Sequence, residues 1–303
     1  MRRILVTAAA GFLGRALTRR YGGRGEWLRL DREIDDGGPG AALRGDLADT
    51  AVISAAAAFG PDVVFHLASV PGALAERDPG ASRRINLDAS LNLFAALAAS
   101  GARPRVVYAS SVAVYGDAAE SRVDRNTPAR PTTTYGAHKR MVEIPLADHA
   151  RRGELSGLAL RLPRVIARPR GAGFGSAFMS ELPRALATGL PYICPVSLQA
   201  IAWWMSAACA AVNLMHAAGI EATGVVQPPA LRLTVGAVFE VALALLGDGG
   251  RALVSFNPDP RIEAAFGRFG ELDASAARDL GFRDDDDAGA LLRAALVSLE
   301  HET

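Results

Sequence analysis

The chain has 303 residues, half of them hydrophobic, and its 33 Lys plus Arg against 32 Asp plus Glu leave a formal charge of +1. That length and apolar content suit one large core, or a main domain with a smaller companion, and argue against disorder. The near-neutral balance without a basic block argues against nucleic acid as a partner. Two cysteines, Cys194 and Cys209, show neither disulfide nor zinc spacing and fit a reducing cytoplasm.

Residues 1–14 have the basic start and apolar run of a short signal peptide, but the run is brief, Gly-punctuated and continues into a charged helical pattern, so neither a signal peptide nor a bilayer span is expected. Short runs rich in Ile, Leu and Val predict strands at 3–7, 27–31, 62–66, 104–110 and 157–164. Helices are expected from Gly11 to Arg20, Thr50 to Phe59, Arg83 to Ser100 and Thr134 to Arg152. This alternation predicts an α/β fold, a doubly wound parallel sheet of Rossmann type over residues 1–165. From residue 166 the pattern loosens. A strand near 223–227 is read as returning to the first domain, Thr234 caps a helix, and a last helix covers Ala288 to Glu300. Residues 166–303 are therefore assigned mainly to a smaller, substrate-binding lobe. Asp284 to Asp287 precede the last helix and read as a solvated cap on its dipole rather than a metal site. The five histidines form no cluster with ligand spacing, so no metal is expected.

The stretch Val6 to Gly14 follows a strand and opens a helix, the setting in which backbone N–H groups meet a pyrophosphate. Gly11 would allow close approach to the phosphates and Gly14 close packing of helix on strand, while Ala8 stands where the first glycine of such loops is expected. Asp31 closes the next strand, where a carboxylate can accept ribose hydroxyls and repel a 2′-phosphate. NAD is thus favoured, with Arg32 beside it leaving NADP open.

Ser110 and Ser111 end the strand at 104–110, and Tyr135-Gly-Ala-His-Lys139 follows at a helix start. Residues four apart share a helix face, so the Lys139 ammonium can lower the Tyr135 phenol from about 10 toward working pH. Tyr135 then acts as base and a serine hydroxyl holds the substrate oxygen while the nicotinamide exchanges hydride.

In these segments, together with Gly45-Asp46-Leu47, His66-Leu-Ala68, Asn86-Leu-Asp88 and Ser110-Ser-Val-Ala-Val-Tyr-Gly116, the chain resembles the extended short-chain dehydrogenases/reductases, a group of NAD-dependent epimerases, dehydratases and dehydrogenases. The resemblance implies Ser111, Tyr135 and Lys139 as catalytic residues. It implies that the cofactor is bound by Gly11, Phe12, Leu13, Gly14, Asp31, Arg32, Asp46, Leu47, Ala68, Asn86, Ser110, Tyr135, Lys139, Pro163 and Val165, with Asp46 at the adenine and Asn86 supporting Lys139 through water. It further implies a homodimer built on the helices around 83–100 and 134–152.

Within the group, Tyr135-Gly-Ala-His-Lys-Arg-Met-Val-Glu143, Leu160-Arg-Leu-Pro163, Arg168-Pro169, Cys194-Pro-Val196 and Leu280-Gly-Phe282 resemble the D-erythronate dehydrogenase branch. That implies oxidation of the 2-hydroxyl of a small sugar acid. Substrate contacts are expected from Ser69, Ser111, Arg164, Arg168 and Trp204, with Arg170 a further candidate for a carboxylate. The segment Arg170 to Phe178 and the run Ala202-Trp203-Trp204 depart from the branch and imply a more apolar pocket. Pro145, inside the Tyr135 helix, predicts a bend. Two other readings are a nucleotide-sugar epimerase or dehydratase with tightly held NAD, for which residues 171–230 offer only Arg184 as a diphosphate-binding cation, and a non-catalytic NAD-binding regulator.

Overall fold

The computed structural model describes residues 2–167 and 176–300, the side chains at 118, 120 and 300 aside. Its strands are β1 (Arg3–Thr7), β2 (Glu26–Asp31), β3 (Ala41–Arg44), β4 (Val63–His66), β5 (Arg105–Ser111), β6 (Ser156–Leu162), β7 (Arg164–Val165), β8 (Tyr192–Cys194), β9 (Ile201–Met205), β10 (Gly224–Val226), β11 (Leu231–Thr234) and β12 (Val254–Phe256). Residues fall into two compact units. The first holds 1–116, 131–162 and 211–227; the second holds 117–130, 163–210 and 228–303.

The first unit is built on a seven-stranded sheet in the order β10-β6-β5-β4-β1-β2-β3, with every pairing parallel. Strands β1, β4 and β5 are buried almost throughout, which is why they read as continuous apolar runs rather than alternating ones. Its helices are α1 (Phe12–Tyr21), α2 (Thr50–Ala58), α3 (Gly72–Arg77), α4 (Pro79–Ser82), α5 (Ala89–Ala99) and α6 (Thr134–Arg151). Leu93, Phe94 and Leu97 of α5 and Val142 and Leu146 of α6 bury against Leu5, Val64, Val106 and Ala159 of the sheet. This is the doubly wound Rossmann fold.

The helix expected over Arg83 to Ser100 is broken: residues Arg83–Asp88 form a π-helical turn before α5 begins. Such wide turns concentrate at functional sites. Strand β3 was not expected. It is a four-residue edge strand, too short to leave a periodic signature.

In the second unit β9 lies between antiparallel β11 and parallel β7, and β12 pairs with β8. The remaining helices are α7 (Phe178–Thr188), α8 (Ala207–Ala217), α9 (Val235–Leu246), α10 (Pro260–Phe266), α11 (Ser275–Asp279) and α12 (Ala288–Glu300), of which α7, α9 and α12 pack on one another. The four aspartates before α12 are not all a solvated cap. Asp287 caps the helix by accepting from Ala290 N at 2.7 Å, but Asp285 is buried and accepts from both the backbone N and the hydroxyl of Ser206. Burial raises the Asp285 pKa. Among the described residues no helix is long and apolar enough to cross a membrane, and no three His, Cys, Asp or Glu side chains converge as metal ligands.

Candidate active site

The turn from β1 to α1 is built by backbone, not side chains. Ala8 adopts φ +53, the conformation a glycine would supply at this position. Gly11 N then donates to Ala8 O at 3.0 Å, and Gly11 caps α1 with no side-chain hydrogen bond. The first amides of α1 are thus left to an anion, at the positive end of the helix dipole. A Cβ on Gly14 would stand 2.3 Å from Ala8 O and 2.7 Å from Ala9 Cα, whereas one on Gly11 would stand 3.0 Å from Ala8 O. Gly14 therefore has no alternative, and the loop lies tight against α1. Asp31, at the end of β2, accepts from Ala10 N at 2.9 Å and Arg32 N at 2.8 Å. This cradle fits a dinucleotide: open helix amides for the pyrophosphate and a fixed carboxylate one strand away for ribose hydroxyls. Arg32 is exposed. Asp46 accepts from Ala48 N at 2.9 Å and Arg84 Nη1 at 3.1 Å. Its pKa is lowered chiefly by the Ala48 amide, with Arg84 and Arg32 adding to it.

Helix α6 starts where Thr133 Oγ1 accepts from Gly136 N at 3.1 Å. A Cβ on Gly136 would meet Ala113 O at 2.3 Å, so the first turn of α6 presses directly on the segment leaving β5. That contact brings Tyr135 to the end of β5, where Ser110 and Ser111 point to opposite faces. Ser110 Oγ donates to Glu143 Oε1 at 2.6 Å. Ser111, on the other face, accepts from Ala113 N at 3.2 Å. Ser110 is buried, whereas Ser111, at the very end of the strand, is only partly so.

Lys139 lies one turn after Tyr135 and is 1% exposed. Its Nζ donates to Ala109 O at 2.7 Å and sits 4.8 Å from the Tyr108 ring centroid and 5.5 Å from that of Tyr135. Burial lowers its pKa to about 7, against the opposing pull of Glu143. It is also the only lysine among the 33 basic residues. In a chain that uses Arg everywhere else, the one compact ammonium able to lose its proton stands beside Tyr135. That count was a signal available in the sequence.

Thr7 and Ser90, which tie His66 and the expected site residue Asn86 together, were not picked out from the sequence. Thr7 Oγ1 accepts from Leu67 N and Ala68 N at 3.0 and 3.1 Å, so its own proton goes to His66 Nδ1 at 2.9 Å. His66 must then donate from Nε2 to Ser90 Oγ at 2.8 Å, and Ser90 to Asn86 O at 2.9 Å. Burial, with Lys139 nearby, lowers the His66 pKa to about 3, so the ring is a neutral strut tying β1, β4 and α5 together. The Asn86 amide binds Val70 on both sides, accepting from N at 2.6 Å and donating to O at 3.0 Å, and also donates to Ser82 Oγ at 3.1 Å. It fixes the loop after β4, where Ser69 lies, and a Cβ on Gly72 would be 3.9 Å from Tyr135 Cβ.

Of the remaining expected contacts, Phe12 and Leu13 occupy the first turn of α1, and Leu47 and Ala68 are buried in the first unit. Pro163, Arg164 and Val165 belong to the second unit. There the Arg164 guanidinium stacks over Phe266 and Phe269 at 4.4 and 4.9 Å. Trp203 and Trp204 are fully buried, their indole N–H groups donating to Gly270 O and Leu233 O. The Trp204 indole is thus anchored to β11 of the second unit through its N–H. Arg168, Arg170 and Phe174 lie outside the described residues.

A fold and site of this kind define a dinucleotide-dependent oxidoreductase. The sequence pattern of the NAD dependent epimerase/dehydratase family matches residues 4–207, and the chain belongs to that family, as an NAD-dependent extended short-chain dehydrogenase/reductase acting on a small molecule. It is 33% identical to the D-erythronate dehydrogenase of Cupriavidus necator over 96% of this chain and 97% of that one. The D-erythronate dehydrogenase of Haemophilus influenzae is 26% identical over 74% and 73% of the two chains. Among solved structures, the nucleoside-diphosphate-sugar epimerase from Agrobacterium tumefaciens superposes with a TM-score of 0.90 at 28% identity, covering 100% of this chain and 95% of that one.

Proposed function

We propose that this enzyme oxidises the 2-hydroxyl of a small sugar acid, D-erythronate, to the ketone with NAD. The observation that supports the mechanism is the buried Lys139 ammonium, 5.5 Å from the Tyr135 ring centroid and 2.7 Å from Ala109 O, two residues before Ser111. The substrate class is supported by similarity along nearly the whole chain to the Cupriavidus enzyme. When bound, NAD supplies the acceptor for the hydride leaving C2. The Lys139 ammonium stabilises a Tyr135 phenolate, which takes the hydroxyl proton, while the Ser111 hydroxyl holds the same substrate oxygen in place. Asp31 favours NAD by meeting a 2′-phosphate with like charge. The cytoplasm is the proposed location, on the strength of two buried free thiols, Cys194 and Cys209.

A nucleotide-sugar reaction would need cations for the substrate diphosphate. Arg184, the candidate for that task in residues 171–230, is buried and bonded to Glu181 at 2.6 Å. The dehydrogenase reading is therefore preferred.

The test follows absorbance of reduced nicotinamide with NAD or NADP and a panel of sugar acids. D-Erythronate should reduce NAD, and Tyr135→Phe should lower kcat by about 10²-fold to 10⁴-fold. Turnover of a neutral alcohol alone would discard the sugar acid, and unchanged turnover in Tyr135→Phe would discard the site.

A further inference from the structure

Tyr135, Lys139 and Glu143 stand four residues apart and share one face of α6. The last two grip consecutive residues of β5: Lys139 Nζ holds Ala109 O at 2.7 Å, and Glu143 Oε1 receives Ser110 Oγ at 2.6 Å. The next residue is Ser111. Glu143 is itself clamped, by Arg161 through Nε at 3.0 Å and Nη2 at 2.8 Å and by Arg140 Nη1 at 3.0 Å. Arg161 extends from β6 at the position paired with Ser110 and lies 4.9 Å from the Tyr115 ring centroid.

A buried ion pair of this kind is a poor device for stability, because apolar residues of like size often hold a fold as well. What it does supply here is a fixed height of β5 against α6 and a negative charge one turn from Lys139. We propose that Glu143 is a positioning residue of the active site: through Ser110 it holds the end of β5 against the helix that carries Tyr135, and it sets a carboxylate one turn from the Lys139 ammonium. The inference rests on the Ser111, Tyr135 and Lys139 reading of the site.

The charged and titratable groups around Lys139 are few. Tyr108 and Tyr135 present ring faces to it, and His66 from β4 is held neutral. Glu143 opposes the effect of burial, while Arg140 and Arg161 keep Glu143 ionised. Burial alone would raise the Glu143 pKa, but Arg161, Ser110 and Arg140 outweigh it and hold the carboxyl below its ordinary value. Removing the carboxylate charge therefore disfavours the ammonium, and the Lys139 pKa must fall further.

Because Lys139 is the sole lysine, protein labelled with carbon-13 at lysine Cε gives one resonance, whose shift against pH reads its titration without substrate. Glu143→Gln should lower that midpoint by about one pH unit. It should also lower kcat about 10-fold and move the alkaline limb of the pH profile down by the same amount as the resonance. Glu143→Gln with Arg161→Met removes both charges and serves if the single variant fails to fold. Its stability should return while the midpoint and kcat stay depressed. A midpoint unchanged in Glu143→Gln, or wild-type titration and turnover in the double variant, would overturn the proposal. Absence of turnover with every sugar acid would sink the substrate assignment and leave the resonance to decide this one.

Discussion

At Ala8 the backbone turns through φ +53 although the residue carries a Cβ. The left-handed conformation costs a non-glycine residue about 1–2 kcal/mol, and it persists because Gly11 N and the packing of Gly14 both require Ala8 O where it is. Strain held at a ligand loop in this way belongs to the scaffold of the site. Ala8→Gly should raise stability by about 1 kcal/mol, the relief of strain exceeding the greater freedom of glycine in the unfolded chain. A urea melt should show a higher midpoint at unchanged slope, with NAD affinity unaltered. A lower midpoint would mean that the Ala8 methyl contributes packing that outweighs the strain. Ser110 and Ser111 make the companion point. They are adjacent and chemically identical, yet strand alternation sends one to Glu143 and leaves the other to accept from Ala113 N.

Helix α6 carries the proposed catalytic pair, Tyr135 and Lys139, and also an interior proline. Pro145 has no N–H for the Met141 carbonyl, yet the helix runs unbroken from Thr134 to Arg151. Tyr135 and Lys139 precede the missing bond, whereas Glu143 lies within the turn it would have closed. Pro145→Ala should restore that bond and stabilise the protein by about 1–3 kcal/mol, read as a rise in the denaturation midpoint, with kcat unchanged. A fall in kcat at higher stability would instead show that the proline helps to aim Glu143. This element also shows what a sequence can disclose. Tyr135 and Lys139 were legible because their spacing is local, as were β1, the loop and Asp31, which follow one another along the chain. Glu143 shares the spacing, but its partners Ser110 and Arg161 come from two other strands, and only the sheet register puts them together. The π-helical turn before α5 has no Gly or Pro to mark it. The strands of the second unit escaped, unlike its helices after Thr234 and over Ala288 to Glu300, because they are only two to five residues long and find partners far along the chain.

For the molecule as a whole, the outer face of α6 raises the question of what covers it. Met141 and Ile144 lie three residues apart and are 47% and 55% exposed, and Leu74 of α3, which packs on α6, is 44% exposed. Apolar side chains grouped on one helix face mark an association surface more often than a solvated one. A second copy is the natural occupant, since a two-fold axis sets the same stripe against itself. The chain should therefore be a dimer at micromolar concentration, by light scattering coupled to size exclusion. Ile144→Arg would bring two cations together at the axis and should give a folded monomer whose far-ultraviolet dichroism matches the parent. Because the Tyr135 face of α6 looks inward and the Ile144 face outward, the same helix would join the two functions. Monomerisation should then lower the thermal midpoint and, through a loosened α6, reduce kcat more than it raises KM. A wild-type monomer at those concentrations, or an Ile144→Arg variant that stays dimeric, would move the interface elsewhere.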